Sequence, residues 1–184
     1  EPIQGEGGIN YAEPDYFKRL RETADEFGLL LFMDEVQTGI GRTGKLFAHE
    51  WAELQPDVVA VAKGLGGGFP VGACLANEKA TSAMAPGTHG STYGGNPMAS
   101  AAANAVLDIV LGDGFLENVQ KTGAYLRSQL EAISSKHDFL GDVRGQGLLV
   151  GIVCDDSVVN LDIVKAGEEL GLLTVPAGGN VIRI

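Results

Sequence analysis

The sequence predicts an α/β fold, and three observations carry that expectation. Short apolar runs, Leu29 to Met33, Val58 to Ala62 and Val71 to Ala76, are uninterrupted by charge, as in strands of a mainly parallel sheet covered on both faces by helices. Longer stretches with apolar residues at helical spacing lie between and after them. The 27 glycines cluster where the runs end and not in a repeat or linker, which implies backbone held at positive φ or brought close to a ligand.

The elements follow in order. Glu1-Pro2-Ile3-Gln4-Gly5-Glu6-Gly7-Gly8 lacks an initiator methionine and reads like the interior of a domain, so the chain is expected to be a portion of a longer protein. Pro14 to Phe27 predicts an amphipathic helix: the proline suits the first turn, Phe17, Leu20, Ala24 and Phe27 share a face, and Gly28 supplies the stop. A strand over 29–33 comes next, with no further helix expected before Trp51, and the runs 58–62 and 71–76 are two more buried strands. Pro97 opens a helix over 98–111, and Phe115 to about His137 is another, carrying Leu116, Val119, Leu126, Leu130 and Ile133 on one side. Val143 and the run 148–153 predict a strand pair, 158–170 a helix stopped by Gly171, and 172–175 and 181–184 short strands. The change of texture after Pro97 puts a boundary near residue 112, with residues 1–112 in a larger domain and residues 113–184 opening a smaller α+β domain.

Composition narrows the function. The chain is 45% apolar and 20% charged over 184 residues, enough for one sizeable core or one and a half. Its net charge of −11 and thirteen scattered Lys and Arg argue against nucleic acid, whose phosphates need clustered cations. No apolar run approaches the ~20 residues that cross a bilayer, and no signal-peptide pattern opens the chain; no membrane partner and a cytoplasmic setting are the expectations. Cys74 and Cys154, each in apolar sequence, are expected to be buried thiols. His49, His89 and His137 lack metal-ligand spacing, so no metal is expected.

Lys63 is the sharpest feature. It ends the run Val58 to Ala62 and is followed by Gly64-Leu65-Gly66-Gly67-Gly68, where a buried strand gives way to a loop too small to crowd a long amine. Such an amine can form a Schiff base with a carbonyl compound. The run Leu29 to Met33 ends in Asp34-Glu35-Val36-Gln37, which puts a carboxylate at the end of an expected neighbouring strand. Singly, each residue has a plainer reading, a solvated lysine or a turn aspartate. Together they are what pyridoxal 5'-phosphate requires: an amine for its aldehyde and a carboxylate that keeps its ring nitrogen protonated.

Two glycine motifs are decoys. Gly39-Ile40-Gly41-Arg42-Thr43-Gly44 spells a dinucleotide fingerprint, but Asp34 and Glu35 would meet the pyrophosphate, no helix opens at Gly44, and no acid stands about 20 residues on for a ribose. Lys63 precedes its glycines, whereas a phosphate-loop lysine follows them. Gly90-Ser91-Thr92-Tyr93-Gly94 offers two hydroxyls and free backbone N–H groups to a phosphate ester, although alone it reads as a turn.

Taken together, the opening segment, Met33-Asp34-Glu35-Val36-Gln37-Thr38-Gly39, Ala62-Lys63-Gly64, His89 to Pro97 and Val143-Arg144-Gly145-Gln146-Gly147-Leu148 resemble the class III aminotransferases, pyridoxal phosphate enzymes of fold type I. The resemblance runs essentially the whole length, and Pro86 to Thr92 and Pro176 to Arg183 are most similar to the bacterial members that act on N-acetylornithine. It implies that residues 1–112 are the second half of the large cofactor-binding domain and 113–184 the start of the small one. It implies Lys63 as the covalent anchor and proton shuttle, Asp34 on the pyridinium nitrogen, Gln37 near the ring's phenolic oxygen, and Glu35 and Val36 as flanking cofactor residues. Thr92 would contact the phosphate held by the other subunit, with Ser91 near the substrate, which implies a homodimer with shared sites. Arg183 would hold the α-carboxylate of glutamate or 2-oxoglutarate, and Glu6 would pair with it when the other substrate is bound. The implied activity is ω-amino transfer from N-acetylornithine or succinyldiaminopimelate to 2-oxoglutarate, as in arginine biosynthesis. The alternatives are an ornithine or 4-aminobutyrate aminotransferase, or a non-catalytic fragment that cannot hold the cofactor. The half of the family's chain that supplies the phosphate cup and the ring-stacking aromatic has no counterpart in this sequence.

Overall fold

The computed structural model describes residues 1–184. The strands β1 (Ile3–Gln4) and β2 (Asn10–Tyr11) pair antiparallel and lead into α1 (Pro14–Glu26), β3 (Phe32–Asp34), β4 (Val58–Val61), β5 (Ala73–Ala76) and the single turn α2 (Glu78–Thr81). Then come α3 (Pro97–Val110), α4 (Phe115–Ser134), β6 (Leu140–Gln146), β7 (Leu149–Cys154), α5 (Asn160–Glu169), β8 (Val175–Ala177) and β9 (Val181–Arg183). Local chemistry sets the helix ends. Pro14 and Pro97 occupy first turns, and the Asn96 side chain accepts the Ala99 N–H. Gly28 and Gly171 follow α1 and α5 at positive φ. Phe27 caps α1 and is 67% exposed; the chain turns away at Gly28 before that ring can join the buried face.

The first sheet has the order β3-β4-β5, with β3 and β4 parallel and β4 and β5 antiparallel. Met33 lies opposite Val59, so strand alternation puts Met33, Val59 and Val61 on one face. With Phe17, Ala52, Leu54 and Leu65 they form the largest core, and Ala103 and Leu107 of α3 pack against it. The expected burial of both faces is met on this face only: Phe32 is 52% exposed and every residue of β5 is exposed. Cys74 sits on that open strand while Cys154 is buried, so the expectation of two buried thiols fails for Cys74. Leu29 and Leu30 are connecting residues, because the Leu29 N–H still serves the Ala24 carbonyl at the end of α1. A 3-10 turn at Ala48–Ala52 lies where no helix was expected; five residues are too few to show a period.

Asp57 staples this half. Buried just before β4, it accepts the Leu31 N–H at 2.7 Å, Arg21 Nη1 at 2.7 Å and Asn77 Nδ2 at 2.8 Å. The Leu31 amide foremost, against the opposing effect of burial, and then Arg21 and Asn77 hold its carboxyl far below the usual carboxylate range.

The second sheet, β6-β7-β9-β8, is antiparallel throughout. Leu130 of α4 packs on Val150 and Ile152, and Val164 of α5 on Cys154 and Ile182. Ile3 and Ile9 join Leu149 and Val181, so the opening segment rests on this C-terminal sheet. There the Gly178 N–H donates to the Glu6 carbonyl at 2.8 Å. That contact brings the first residues and the last strand to one place.

Candidate active site

The parallel register places Asp34 opposite Ala60, three residues before Lys63. The carboxylate and the amine therefore stand at the same end of adjacent strands, the arrangement expected from the two apolar runs. Lys63 is exposed and sits at φ 46°, a left-handed conformation that costs a side-chain-bearing residue roughly 1–2 kcal/mol. Strain of this kind concentrates at functional positions, and Ile40, at φ 54°, shares it in the same cavity wall. Asp34 is half-buried, and one of its oxygens accepts the Val36 N–H at 3.0 Å. Its other oxygen takes no hydrogen bond from the chain.

Glu35 differs from the expectation. Its carboxylate is fully buried and accepts from Thr38 Oγ1, the Ala48 N–H, the His49 N–H and His49 Nδ1, each within 2.7–2.8 Å. Burial alone would raise its pKa, yet the bonds from His49, Ala48 and Thr38 prevail and hold it below the usual value. With four donors on two oxygens the carboxylate has no lone pair left for a cofactor. The Glu35 side chain, expected among the cofactor residues, is here spent on anchoring the loop after β3 to the 3-10 turn. No pattern in the letters Asp-Glu-Val-Gln separates the two acids.

Lys63, Val36, Gln37, Ile40 and Arg183 line one cavity of about 490 Å3, closed in part by Phe115 of α4 and Leu173 before β8. A larger open cleft of about 940 Å3 shares no residue with it. That cleft mixes Glu13, Glu131 and Asp142 with Arg127 and Arg144, and Arg127 is already bonded to the carbonyls of Val143 and Gly145. It holds no lysine or other nucleophile suited to the chemistry.

The loop after β3 reaches the cavity through close backbone packing. The Leu148 N–H donates to the Arg42 carbonyl at 3.0 Å, and a Cβ on Gly147, at φ 57°, would strike the Thr43 backbone. The residues following Gly44 form bends and then the 3-10 turn, so the glycines of 39–44 open no phosphate-binding helix; a Cβ on Gly39 would meet the Glu35 carbonyl, and one on Gly44 the Gln120 side chain.

Arg183, on the last strand, donates Nη1 to Gln37 Oε1 at 3.2 Å. Sequence reasoning named both residues without linking them, and a separation of 146 positions leaves no local signal. Glu6 is exposed and forms no ion pair with Arg183 in this conformation. Ser91 and Thr92 lie on an exposed loop outside the cavity, so this chain alone does not bring them to Lys63.

These residues fit pyridoxal 5'-phosphate as far as they go. The cavity volume falls in the range of small-molecule sites, an accessible primary amine lies in its wall, and a carboxylate at the adjacent strand end keeps one oxygen free for a protonated ring nitrogen. The fit covers the ring and the carbonyl end of the cofactor.

All 184 residues match the family model described as aminotransferase class III, and the chain belongs to that family. Its α/β architecture is accordingly part of the fold type I transferase fold. The acetylornithine aminotransferase of Mesorhizobium japonicum is 54% identical over the whole chain, which spans 46% of that relative. Among solved structures, acetylornithine aminotransferase from Elizabethkingia anophelis has a TM-score of 0.91 at 41% identity, covering 100% of this chain and 47% of that one. An ornithine aminotransferase from Toxoplasma gondii, described as having partial occupancy of PLP at its active site, has a TM-score of 0.93 at 37% identity, with 100% and 44% covered. The chain spans about half the length of the relatives it matches.

Proposed function

We propose that the protein, at its relatives' full length, is a pyridoxal phosphate-dependent aminotransferase that moves the ω-amino group of N-acetylornithine to 2-oxoglutarate. The observation that carries this reading is the parallel register of β3 and β4, which sets Asp34 and Lys63 at adjacent strand ends, with Lys63 in the wall of a cavity that also holds Arg183. Identity supports the donor: among solved structures, 41% to an acetylornithine enzyme against 37% to an ornithine enzyme. The strong fold likeness to ornithine aminotransferases keeps ornithine as the second reading.

When bound, the cofactor supplies an electron sink that makes the C–H bond beside the substrate nitrogen acidic. Lys63 Nζ is the group in the cavity able to anchor a carbonyl compound and to carry a proton at the reacting carbon. Asp34 would hold the ring nitrogen protonated, with Val36 beside it and Gln37 within reach of the ring hydroxyl. Arg183 would take the α-carboxylate of glutamate or 2-oxoglutarate through its planar fork. Glu6 would cover Arg183 during the ω-amine half-reaction. Thr92 of the partner subunit would reach the phosphate and Ser91 of the partner subunit the substrate, so the working unit is a homodimer with shared sites in the cytoplasm.

The test is amino transfer by full-length protein with N-acetylornithine, succinyldiaminopimelate, ornithine and 4-aminobutyrate against 2-oxoglutarate. N-acetylornithine should give the highest kcat/KM, and Lys63→Ala should abolish turnover while leaving the circular dichroism spectrum unchanged. Near-normal turnover by that variant would sink the assignment of Lys63.

A further inference from the structure

Ile9 is fully buried and sits at φ 53°. Left-handed backbone is a rare state for a β-branched residue, and it persists only where the surroundings over-determine it. The second sheet supplies those surroundings. Its register sets Arg144 opposite Gly151, Gly151 opposite Arg183 and Arg183 opposite Val175, so these four residues form a row on one face across β6, β7, β9 and β8. Gly151 is the gap in that row. A Cβ on it would come within 2.8 Å of Ile9 Cγ1, and one on Gly145 within 3.0 Å of Ile9 Cγ2. The two branches of Ile9 therefore fill the place that a side chain at 151 would take, with Ile3, Leu149 and Val181 around them.

The two arginines of the row serve different cavities. Arg144 donates Nη1 to Asn10 Oδ1 at 3.5 Å and lines the open cleft with Glu13, Glu131 and Asp142, whereas Arg183 lines the cavity of Lys63. We propose that Ile9 is a positioning residue for Arg183: by filling the space over Gly151 it keeps the guanidinium in the cavity of Lys63 and stops it from lying back across the sheet. The proposal rests on the reading of Arg183 as the residue that takes an α-carboxylate. Neighbouring strands are only ~4.8 Å apart, and an arginine stem lies readily along apolar surface with its charged head free. An unfilled glycine beside Arg183 would offer it such a bed, with the three carboxylates of the open cleft attracting the cation in that direction. Ile9 removes that alternative, so the guanidinium is held ready and its ordering is not charged to ligand binding. The same argument explains why a β-branched residue stands where the backbone favours glycine. Glycine would relieve the strain and leave the gap open.

The test is calorimetric titration of full-length holoenzyme with glutarate, a dicarboxylate with neither amine nor ketone, so that binding is read without turnover. Ile9→Ala should weaken glutarate about tenfold, within what a misplaced binding group costs. Ile9→Gly suits the backbone but also lacks the branches, and should weaken glutarate equally even though the two variants differ in urea stability. Ile9→Leu conserves volume and keeps the test available if the smaller variants unfold; moving the branch one carbon out should weaken glutarate about threefold, a loss of fit without a cavity. In single-turnover reactions Ile9→Ala should raise the glutamate concentration needed for half-maximal rate, while the maximal rate and the N-acetylornithine half-reaction stay unchanged. Wild-type glutarate affinity in every Ile9 variant that folds would overturn the proposal and leave Arg183 standing as the clamp. Affinity that follows stability, or equal slowing of both half-reactions, would make Ile9 a structural residue only and overturn it likewise. Normal glutarate binding by Arg183→Ala would overturn the reading of Arg183, and the role of Ile9 with it.

Discussion

Replacing Glu35 by glutamine tests whether a buried carboxylate one residue from Asp34 is structural. The wild-type group accepts four hydrogen bonds in full burial, two on each oxygen: Thr38 Oγ1 and the Ala48 N–H on one, the His49 N–H and His49 Nδ1 on the other. Glutamine keeps one acceptor and turns the other into a donor. The Thr38 hydroxyl can rotate to accept, and the His49 ring can change tautomer, but a backbone N–H can do neither. Whichever way the amide faces, one N–H at the start of the 3-10 turn is left buried without a partner, at a cost of about 1–3 kcal/mol, and the surviving bonds lose their charge assistance. A total near 3 kcal/mol follows by that reckoning.

The assay is urea unfolding of full-length wild type and Glu35→Gln, compared at constant m-value. The pH dependence supplies an independent check. The folded carboxyl titrates below its unfolded value, so its stabilisation is fully present above the unfolded pKa and is lost as pH falls through the folded one. The gap between wild type and variant should therefore be flat above about pH 5 and narrow below about pH 4, given an unfolded glutamate near 4.3. A gap under about 1 kcal/mol at neutral pH, against the 1–3 expected for one orphaned N–H, would refute the reasoning.

Three further predictions concern neighbouring features. Asp57→Ala removes the buried acceptor of the Leu31 N–H, Asn77 and the partly exposed Arg21 and should cost about 3 kcal/mol in urea unfolding; a loss below about 1 kcal/mol would show that water replaces the carboxylate. Asp34→Asn in full-length protein should retain cofactor, seen in its visible absorption, yet lose roughly 100-fold in kcat, the scale of removing a positioned electrostatic partner; an undiminished rate would remove Asp34 from the ring nitrogen. Gly147→Ala, where φ is positive and a Cβ would strike the Thr43 backbone, should cost more than Gly28→Ala, where φ is positive and the space is open; backbone strain alone predicts about 1–2 kcal/mol for each, so equal losses in urea would deny the close approach its role.

What was legible in the letters, and what was not, divides along a physical line. Helices α1, α3, α4 and α5 announced themselves because proline, asparagine and glycine act within a turn of where they stand and the 3.6-residue period repeats several times. Lys63 was legible for the same local reason, an amine between a strand and a run of glycines. Burial was less so: an apolar run states that a strand can be covered, while the exposure of β5 depends on whether anything packs there. The acids after β3 were least legible, since neighbouring strand residues point to opposite sides and composition does not say which acid faces which way. Asp34 keeps an oxygen free, and Glu35 turns into the loop, where His49 and two backbone amides meet it. One residue of register separates a group able to hold a ring nitrogen from one that holds only its own chain. That division is why the link from Gln37 to Arg183, formed by the loop after β3 and the last strand beside a glycine of the opening segment with no room for a methyl group, emerges from the folded arrangement alone.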